Sequence, residues 1–366
     1  MKKHISILLP NLRGGGAERV TVNLVNGLIQ RGFKVDIVLL SADGEFLNNL
    51  SPEVRVIDLK VKRMRGLLFP LIRYLFVERP SAMLACMWPL TSIAVLAIKL
   101  CFSNVRLIVV EHTTWSRDIT CKSIFKRWWI AKLMHYTFPS ANGIVAVSKG
   151  AADDLAQFAK ISRSTITVIY NPVVGDDKIN SSYPMHPLDW SVGKHFKILA
   201  VGTLAPIKDY STLLNAVAQL RQKINARLLI LGEGSCRAIL EEDIKRLGLT
   251  NSVFMPGFTK DISAYYIQAD LHVLSSLCEG LPTVIIEALA SGTPVVSTDC
   301  PSGPREILSE GRFGQLVPVG DVSALAEAMA FSLNSTHDTP ALKLRAQDFT
   351  INKAVSFYEE MLFPKI

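Results

Sequence analysis

The sequence has no long hydrophobic run, no paired-cysteine motif, no acidic pair of metal-binding type at a strand end and no evident internal repeat. Its longest uncharged stretch, Ala82 to Ile98, is interrupted by Pro89, Thr91 and Ser92. A bilayer-spanning helix needs about 20 mainly apolar residues, so this stretch reads as a strand, a turn and a helix. The apolar run Ile5 to Leu9 is too short for the core of an export signal and runs into Asn11 and Arg13; it reads as a buried first strand. The six cysteines (Cys86, Cys101, Cys121, Cys236, Cys278, Cys300) have neither CxxC spacing nor a histidine at metal-ligand distance. Reduced, mostly buried thiols and a cytoplasmic setting follow as expectations. The adjacent acids Asp153–Asp154 and Asp176–Asp177 fall in helix and linker patterns, so neither a metal nor a bound cofactor is expected.

What is present suits a globular protein with a generous core. Of 366 residues, 49% are hydrophobic and 20% charged, and the length implies two domains or one large one. The net charge is +8, which admits nucleic acid, membrane or phosphorylated ligands as partners. The charge is clustered. Lys60, Lys62, Arg63 and Arg65 precede the apolar stretch Leu67 to Phe76, and Lys122, Lys126, Arg127 and Lys132 are interleaved with Phe125, Trp128, Trp129 and Tyr136. Basic residues beside tryptophans on a helix suit an anionic membrane surface; the alternative is a solvated helix face with its aromatics in the core. No nucleic-acid recognition module is present.

Short apolar runs alternate with helical patterns throughout. Ile5–Leu9, Val35–Leu40, Met83–Met87, Leu107–Val110 and Ile144–Val147 read as buried strands of the first half. Ile198–Val201, Leu228–Leu231, Val253–Met255, Leu271–Leu274 and Val295–Ser297 do so in the second. Such alternation predicts parallel sheets with helices on both faces. The polar stretch Val174 to Lys194 reads as a linker. The expected fold class is α/β, with two doubly wound Rossmann-like domains facing across a cleft. Their boundaries are 1–185 and 186–349, with a C-terminal helix over about 350–366 returning to the first.

The most informative segment is SSLCEGLPTVIIEALASGTPVVST. A strand ends near Ser275, a helix begins near Pro282 and it stops at Gly292. A strand-loop-helix unit offers amide N–H groups and a positive helix end to an anion such as a diphosphate. Glu279 lies in the loop and Glu287 within the helix among Val284, Ile285, Ile286, Ala288 and Leu289. Burying that carboxylate without a partner would be costly.

The two glutamates, seven residues apart, resemble the signature of the retaining glycosyltransferase family four, which has the GT-B fold. Gly14–Gly15–Gly16–Ala17–Glu18–Arg19, the Glu111–His112 pair, VAVSKGAADDL, VIYNPV, VGTLAPIKDYSTLLNA and LGEGSCRAIL also resemble family elements in order along nearly the whole chain. TDCPSGPREIL is similar to members that act on UDP-N-acetylhexosamines and build lipid-linked glycans. The resemblance implies a metal-independent hexosyltransferase moving a hexose or N-acetylhexosamine from a UDP-sugar, with UDP-sugar as co-substrate. The implied acceptor is a polyprenyl-diphosphate-linked saccharide at the inner face of the cytoplasmic membrane, for a surface polysaccharide such as O-antigen or capsule.

The same resemblance assigns Glu279, His112 and Lys208 to the reacting sugar and diphosphate. It assigns Gly15, Gly16, Lys208, Gly232, Glu233, Gly280, Leu281, Pro282, Thr283, Glu287 and Arg305 to nucleotide-sugar binding. Local readings compete with these: Lys208 as an exposed loop lysine, His112 as a satisfied structural histidine, Gly14–Gly16 as a tight turn. One departure stands out. Thr203 occupies the position after Gly202 where the family commonly has an arginine, and Arg305 or Arg19 would have to supply the missing cation. Two other functions stay open on these residues, a sugar-nucleotide epimerase of the same fold and a non-catalytic sugar-nucleotide-binding protein.

Overall fold

The computed structural model describes residues 3–117, 123–175, 193–259 and 262–364. Cys121, Lys122, Asp176–Asp177 and nearly all of the polar linker lie outside them. The chain divides into two compact units, Met1–Val173 with Phe349–Ile366, and Val174–Asp348.

The first unit runs β1 (His4–Leu9), α1 (Gly16–Gln30), β2 (Lys34–Leu39), β3 (Arg55–Asp58), α2 (Leu68–Glu78), β4 (Ala82–Cys86), α3 (Leu90–Leu100), β5 (Arg106–Glu111), α4 (Ile124–Thr137), β6 (Gly143–Ala146), α5 (Lys149–Ala159) and β7 (Ile166–Val168). Its sheet has the order β3-β2-β1-β4-β5-β6-β7, and its described strand pairs are all parallel. The stretch from Ala82 to Ile98 is β4, a turn and the start of α3, the turn carrying a cis Trp88–Pro89 bond.

The second unit runs β8 (Phe196–Val201), α6 (Tyr210–Leu220), β9 (Ala226–Leu231), α7 (Arg237–Arg246), β10 (Val253–Gly257), α8 (Ser263–Gln268), β11 (Leu271–Leu274), α9 (Thr283–Ser291), β12 (Val295–Thr298), α10 (Pro304–Ile307), β13 (Gln315–Val317), α11 (Val322–Leu333) and α12 (Thr339–Ala346). Its sheet order is β10-β9-β8-β11-β12-β13, again parallel. The final helix, α13 (Ile351–Leu362), belongs to the first unit. Its Val355 and Ile351 side chains lie over Gly27 of α1, and Phe363 stacks on Phe33.

The central strands are buried on both faces, as β1 illustrates from His4 to Leu9, and covering both faces is what allows near-continuous apolar runs. Three edge or near-edge strands, β3, β7 and β13, carry no such run. Their residues RVID, ITV and QLV are short and half-exposed, which is why the sequence pattern passes over them.

Each sheet order has one switch point, between β1 and β4 in the first unit and between β8 and β11 in the second. Helices leave adjacent strands there toward opposite faces and open a crevice at the carboxyl ends.

Candidate active site

The second unit's switch point collects most of the site residues named from sequence. After β8 the chain turns through Gly202 and Thr203 into a short 3-10 turn, Pro206–Lys208. After β11 it runs through Ser275, Ser276 and Glu279 into α9. The two loops are fastened together: Ser275 Oγ donates to the Lys208 carbonyl at 2.8 Å, and the Leu277 N–H donates to the Ile207 carbonyl at 2.8 Å. Lys208 Nζ lies 2.6 Å from Glu279 Oε1, which also accepts from Ser276 Oγ at 2.6 Å. Thr298 Oγ1 at the end of β12 donates to the Ser276 carbonyl at 2.6 Å. The Lys208 and Glu279 side chains keep 20% and 11% of their surface exposed, enough to meet a ligand while staying fixed by their neighbours.

Gly280, Leu281 and Pro282 lead into α9, with Leu281 and Pro282 buried. Pro282 is the N-cap, one residue earlier than the helical position expected of it, and no side chain caps the helix. Its first turn, beginning at Thr283, offers amide groups suited to phosphate oxygens. Gly292 closes the helix at φ 81°, a left-handed conformation natural to glycine. Tyr266 supplies a partner for Glu287, its hydroxyl donating to Glu287 Oε2 at 3.1 Å.

Gly232 and Glu233 follow β9 beside this crevice. Gly232 has φ 153°, and a Cβ there would run into the Gly202 carbonyl oxygen; the two strand ends meet only because position 232 has no side chain. Glu233 is exposed and pairs with Arg237 at 2.6 Å. Arg305, the suggested replacement cation, has carboxylate partners of its own. It is exposed, pairs with Asp299 and lies 2.7 Å from Glu310, so its charge is already met by two carboxylates. Thr203 is exposed at the head of its loop. Ser275, Ser276, Tyr266 and Thr298 were not singled out from sequence. Ser276 was within reach of such reading, three residues before Glu279, whereas Tyr266 joins Glu287 only through the packing of α8 against α9.

The first unit's switch point holds Gly15, Gly16 and His112. Gly15 is the N-cap of α1, and the Glu18 carboxylate folds back to where a Cβ on Gly15 would stand. Burial pushes the Glu18 carboxyl up, opposed by its own backbone N–H. Glu111 ends β5 with 1% of its surface exposed and accepts from Thr91 Oγ1 at 3.0 Å. Burial pushes it up to about 7 despite that bond. The adjacent His112 has a buried Nδ1 without a hydrogen-bond partner, and burial pushes its pKa down to about 4. His112 is thus a neutral imidazole at physiological pH, able to donate or accept one hydrogen bond from each nitrogen. Burial lifts the Cys86 thiol to about 12, with Glu111 adding to the effect, so Cys86 is an inert structural thiol.

The aromatics of α4 are not in the core. Phe125, Trp128 and Trp129 are 70%, 49% and 53% exposed. Lys132 Nζ sits 4.5 Å from the Trp128 ring centre. On the same side of the sheet, α2 exposes Phe69 and Phe76, and Phe102 beyond α3 is almost fully exposed. Among the described residues no helix is long and apolar enough to cross a membrane, and none of their His, Cys, Asp and Glu side chains gather in threes as a metal-ligand set.

Two family models tile the chain, "Glycosyltransferase Family 4" over residues 14–175 and "Glycosyl transferases group 1" over residues 195–335. The protein belongs to glycosyltransferase family four, whose GT-B fold its two doubly wound units display. Two similar proteins come from Campylobacter jejuni subsp. jejuni serotype O:2. One, N-acetylgalactosamine-N,N'-diacetylbacillosaminyl-diphospho-undecaprenol 4-alpha-N-acetylgalactosaminyltransferase, is 28% identical over 94% of this chain and 93% of its own. The other, a GalNAc-alpha-(1->4)-GalNAc-alpha-(1->3)-diNAcBac-PP-undecaprenol alpha-1,4-N-acetyl-D-galactosaminyltransferase, is 29% identical over 95% of both chains. Among solved structures, Anabaena HepE in complex with UDP and glucose superposes with a TM-score of 0.80 at 22% identity, covering 98% of this chain and 99% of that one.

Proposed function

We propose that this glycosyltransferase moves a hexose or N-acetylhexosamine from a UDP-sugar to a polyprenyl-diphosphate-linked saccharide, retaining the anomeric configuration, in the assembly of a surface polysaccharide or glycan. The observation that carries the reading is the convergence of Lys208, Glu279 and the start of α9 at one switch point. Departure of UDP leaves negative charge on the diphosphate and positive charge on the sugar ring. The Lys208 ammonium and the first-turn amides of α9 are fixed dipoles and charge for the first; the Glu279 carboxylate, held by Lys208 and Ser276, is the counter-charge for the second. Glu287, about one turn deeper, would take the ribose hydroxyls, and Gly232 with Glu233 would border the base.

On this reading the first unit serves the acceptor, the neutral His112 contacts the donor sugar or its phosphate, and the glycine loop at Gly15 and Gly16 approaches the acceptor phosphate or the donor. The exposed aromatics and lysines of α4 favour a peripheral seat on anionic lipid at the cytoplasmic face, where a lipid-linked acceptor lies. No metal enters the proposed chemistry, because Lys208 and the helix end carry the phosphate charge. The names of the Campylobacter relatives support the acceptor class, and the UDP-bound HepE structure supports the donor class. The test is UDP release from a panel of UDP-sugars, with and without polyprenyl-linked acceptor, in the presence of a chelator. Acceptor-dependent release from one donor supports the reading; binding without release on any acceptor removes it.

A further inference from the structure

Tyr266 is buried to 1% exposure on the short helix α8, yet its hydroxyl reaches Glu287 Oε2 at 3.1 Å. Several contacts hold the residue still. Thr293 Oγ1 donates to its carbonyl at 2.7 Å. Its backbone N–H donates to the Ile262 carbonyl at 3.2 Å. Its ring meets the His272 imidazole edge-on, centroids 5.4 Å apart. His272 is itself fully buried in the middle of β11 with neither ring nitrogen hydrogen-bonded, so that it serves as an aromatic wall behind the tyrosine. A carboxylate on a helix is ordinarily free to turn about its last side-chain bond. With Oε2 held by a rigid phenol, the direction of the second oxygen is set as well.

We propose that Tyr266 is the positioning residue of Glu287, aiming its carboxylate at the vicinal hydroxyls of the donor's ribose, so that discrimination for a ribonucleoside diphosphate depends on a residue that never touches the nucleotide. The inference rests on the proposed donor site. A preset carboxylate loses less freedom when it accepts two ribose hydroxyls, and the phenol bond supplies that presetting from the side opposite the ligand. The effect belongs to binding, since the proposed partner of Glu287 is the ribose and not the bond that breaks.

The experiment is calorimetric titration of the full-length protein with UDP and with 2',3'-dideoxyuridine diphosphate, on wild type, Tyr266→Phe, Glu287→Ala and the double variant. Thermal melts of each establish that it is folded. Tyr266→Phe should weaken UDP by about five- to thirty-fold, a part of the roughly 10- to 150-fold that a whole hydrogen bond to a charged group represents. It should leave the dideoxy nucleotide unchanged and have no further effect once Glu287 is alanine. In turnover the same variant should raise the donor KM with kcat nearly constant. Equal losses for both nucleotides, or an undiminished Tyr266→Phe effect in the Glu287→Ala background, would mean a merely structural tyrosine and overturn the proposal. Unchanged UDP binding in Tyr266→Phe would overturn it too. A wild type that binds neither nucleotide would instead remove the donor reading beneath it. Should Tyr266→Phe fail to fold, Thr293→Val, which releases the Tyr266 carbonyl, must show a ribose-dependent loss that vanishes in the Glu287→Ala background, and its absence overturns the proposal.

Discussion

Lys208 Nζ and Glu279 Oε1 are 2.6 Å apart, on loops that leave β8 and β11 and lie 71 residues apart in sequence. On the proposed reading the pair ties the cation for the leaving diphosphate to the carboxylate for the sugar, so neither group has to be gathered when substrate arrives. Replacing Lys208 by Ala should therefore do two things. It removes phosphate stabilisation and it frees Glu279 from its strongest anchor. Turnover should fall by about 10²–10³-fold, the scale for losing one preorganised electrostatic group. Ser276→Ala, which leaves the ion pair, should cost about ten-fold or less. Equal losses in the two variants, by steady-state UDP release, would contradict this division.

The pH dependence of stability should show the Glu111 carboxyl. Its folded pKa of about 7 lies above the ordinary 4.5, because of burial. The folded state therefore holds its proton more tightly than the unfolded chain, and this group makes stability fall as pH rises from about 4.5 through 7. Glu111→Gln keeps an oxygen for Thr91 and removes the buried charge. It should melt higher than wild type at pH 8, by up to about 3 kcal/mol, and converge with wild type near pH 4.5. His112 works oppositely, its depressed pKa costing stability as pH falls from 6.5 toward 4, and is common to both proteins. A difference that stays constant between pH 4.5 and 8 would count against the account.

Asp36 anchors a charge network at the other end of the first sheet. It is fully buried on β2, accepts from Arg55 Nε at 3.0 Å and Tyr74 at 2.8 Å, and lies 2.9 Å from His4 Nε2; Arg55 also reaches Glu78. Burial pushes its carboxyl up, but the bonds from Arg55 and Tyr74 and the His4 charge outweigh it and hold the group below the usual range. Asp36→Ala strands these partners and should cost about 3–5 kcal/mol, read from denaturant unfolding of the whole chain. A loss below about 1 kcal/mol would show the network to be incidental.

The proposed membrane attachment rests on α4. Wild type should sediment with vesicles containing phosphatidylglycerol and be released by salt, while Trp128→Ser with Trp129→Ser should stay in solution at unchanged melting temperature. Equal sedimentation of the double variant would move the surface elsewhere.

Legibility in the sequence followed burial. The strands buried on both faces announced themselves as apolar runs, to within a residue or two at each end, and Gly292 and Pro282 marked the limits of α9 because backbone geometry restricts who can stand there. The half-exposed strands Arg55–Asp58, Ile166–Val168 and Gln315–Val317 had no such pattern. Glu279, Lys208 and Glu287 were singled out through the family resemblance, and the structure brings the first two into contact. Their partners Ser276 and Tyr266 depend on which loops and helices meet in space, and nothing in local spacing announces that. The same applies to Arg305, a suitable cation by sequence, whose charge is met by Asp299 and Glu310 once the chain folds.

Glu279 and Lys208 are proposed to serve sugar transfer from a UDP-sugar to a lipid-linked acceptor. The direct measurement is UDP release from each of a panel of UDP-sugars, with polyprenyl-diphosphate-linked saccharide present or absent, on wild type and Glu279→Ala. The expected result is release from one donor that depends on acceptor and is lost in the variant, while UDP itself still binds. Release that persists in Glu279→Ala, or wild-type donor binding with no release on any acceptor, would contradict it.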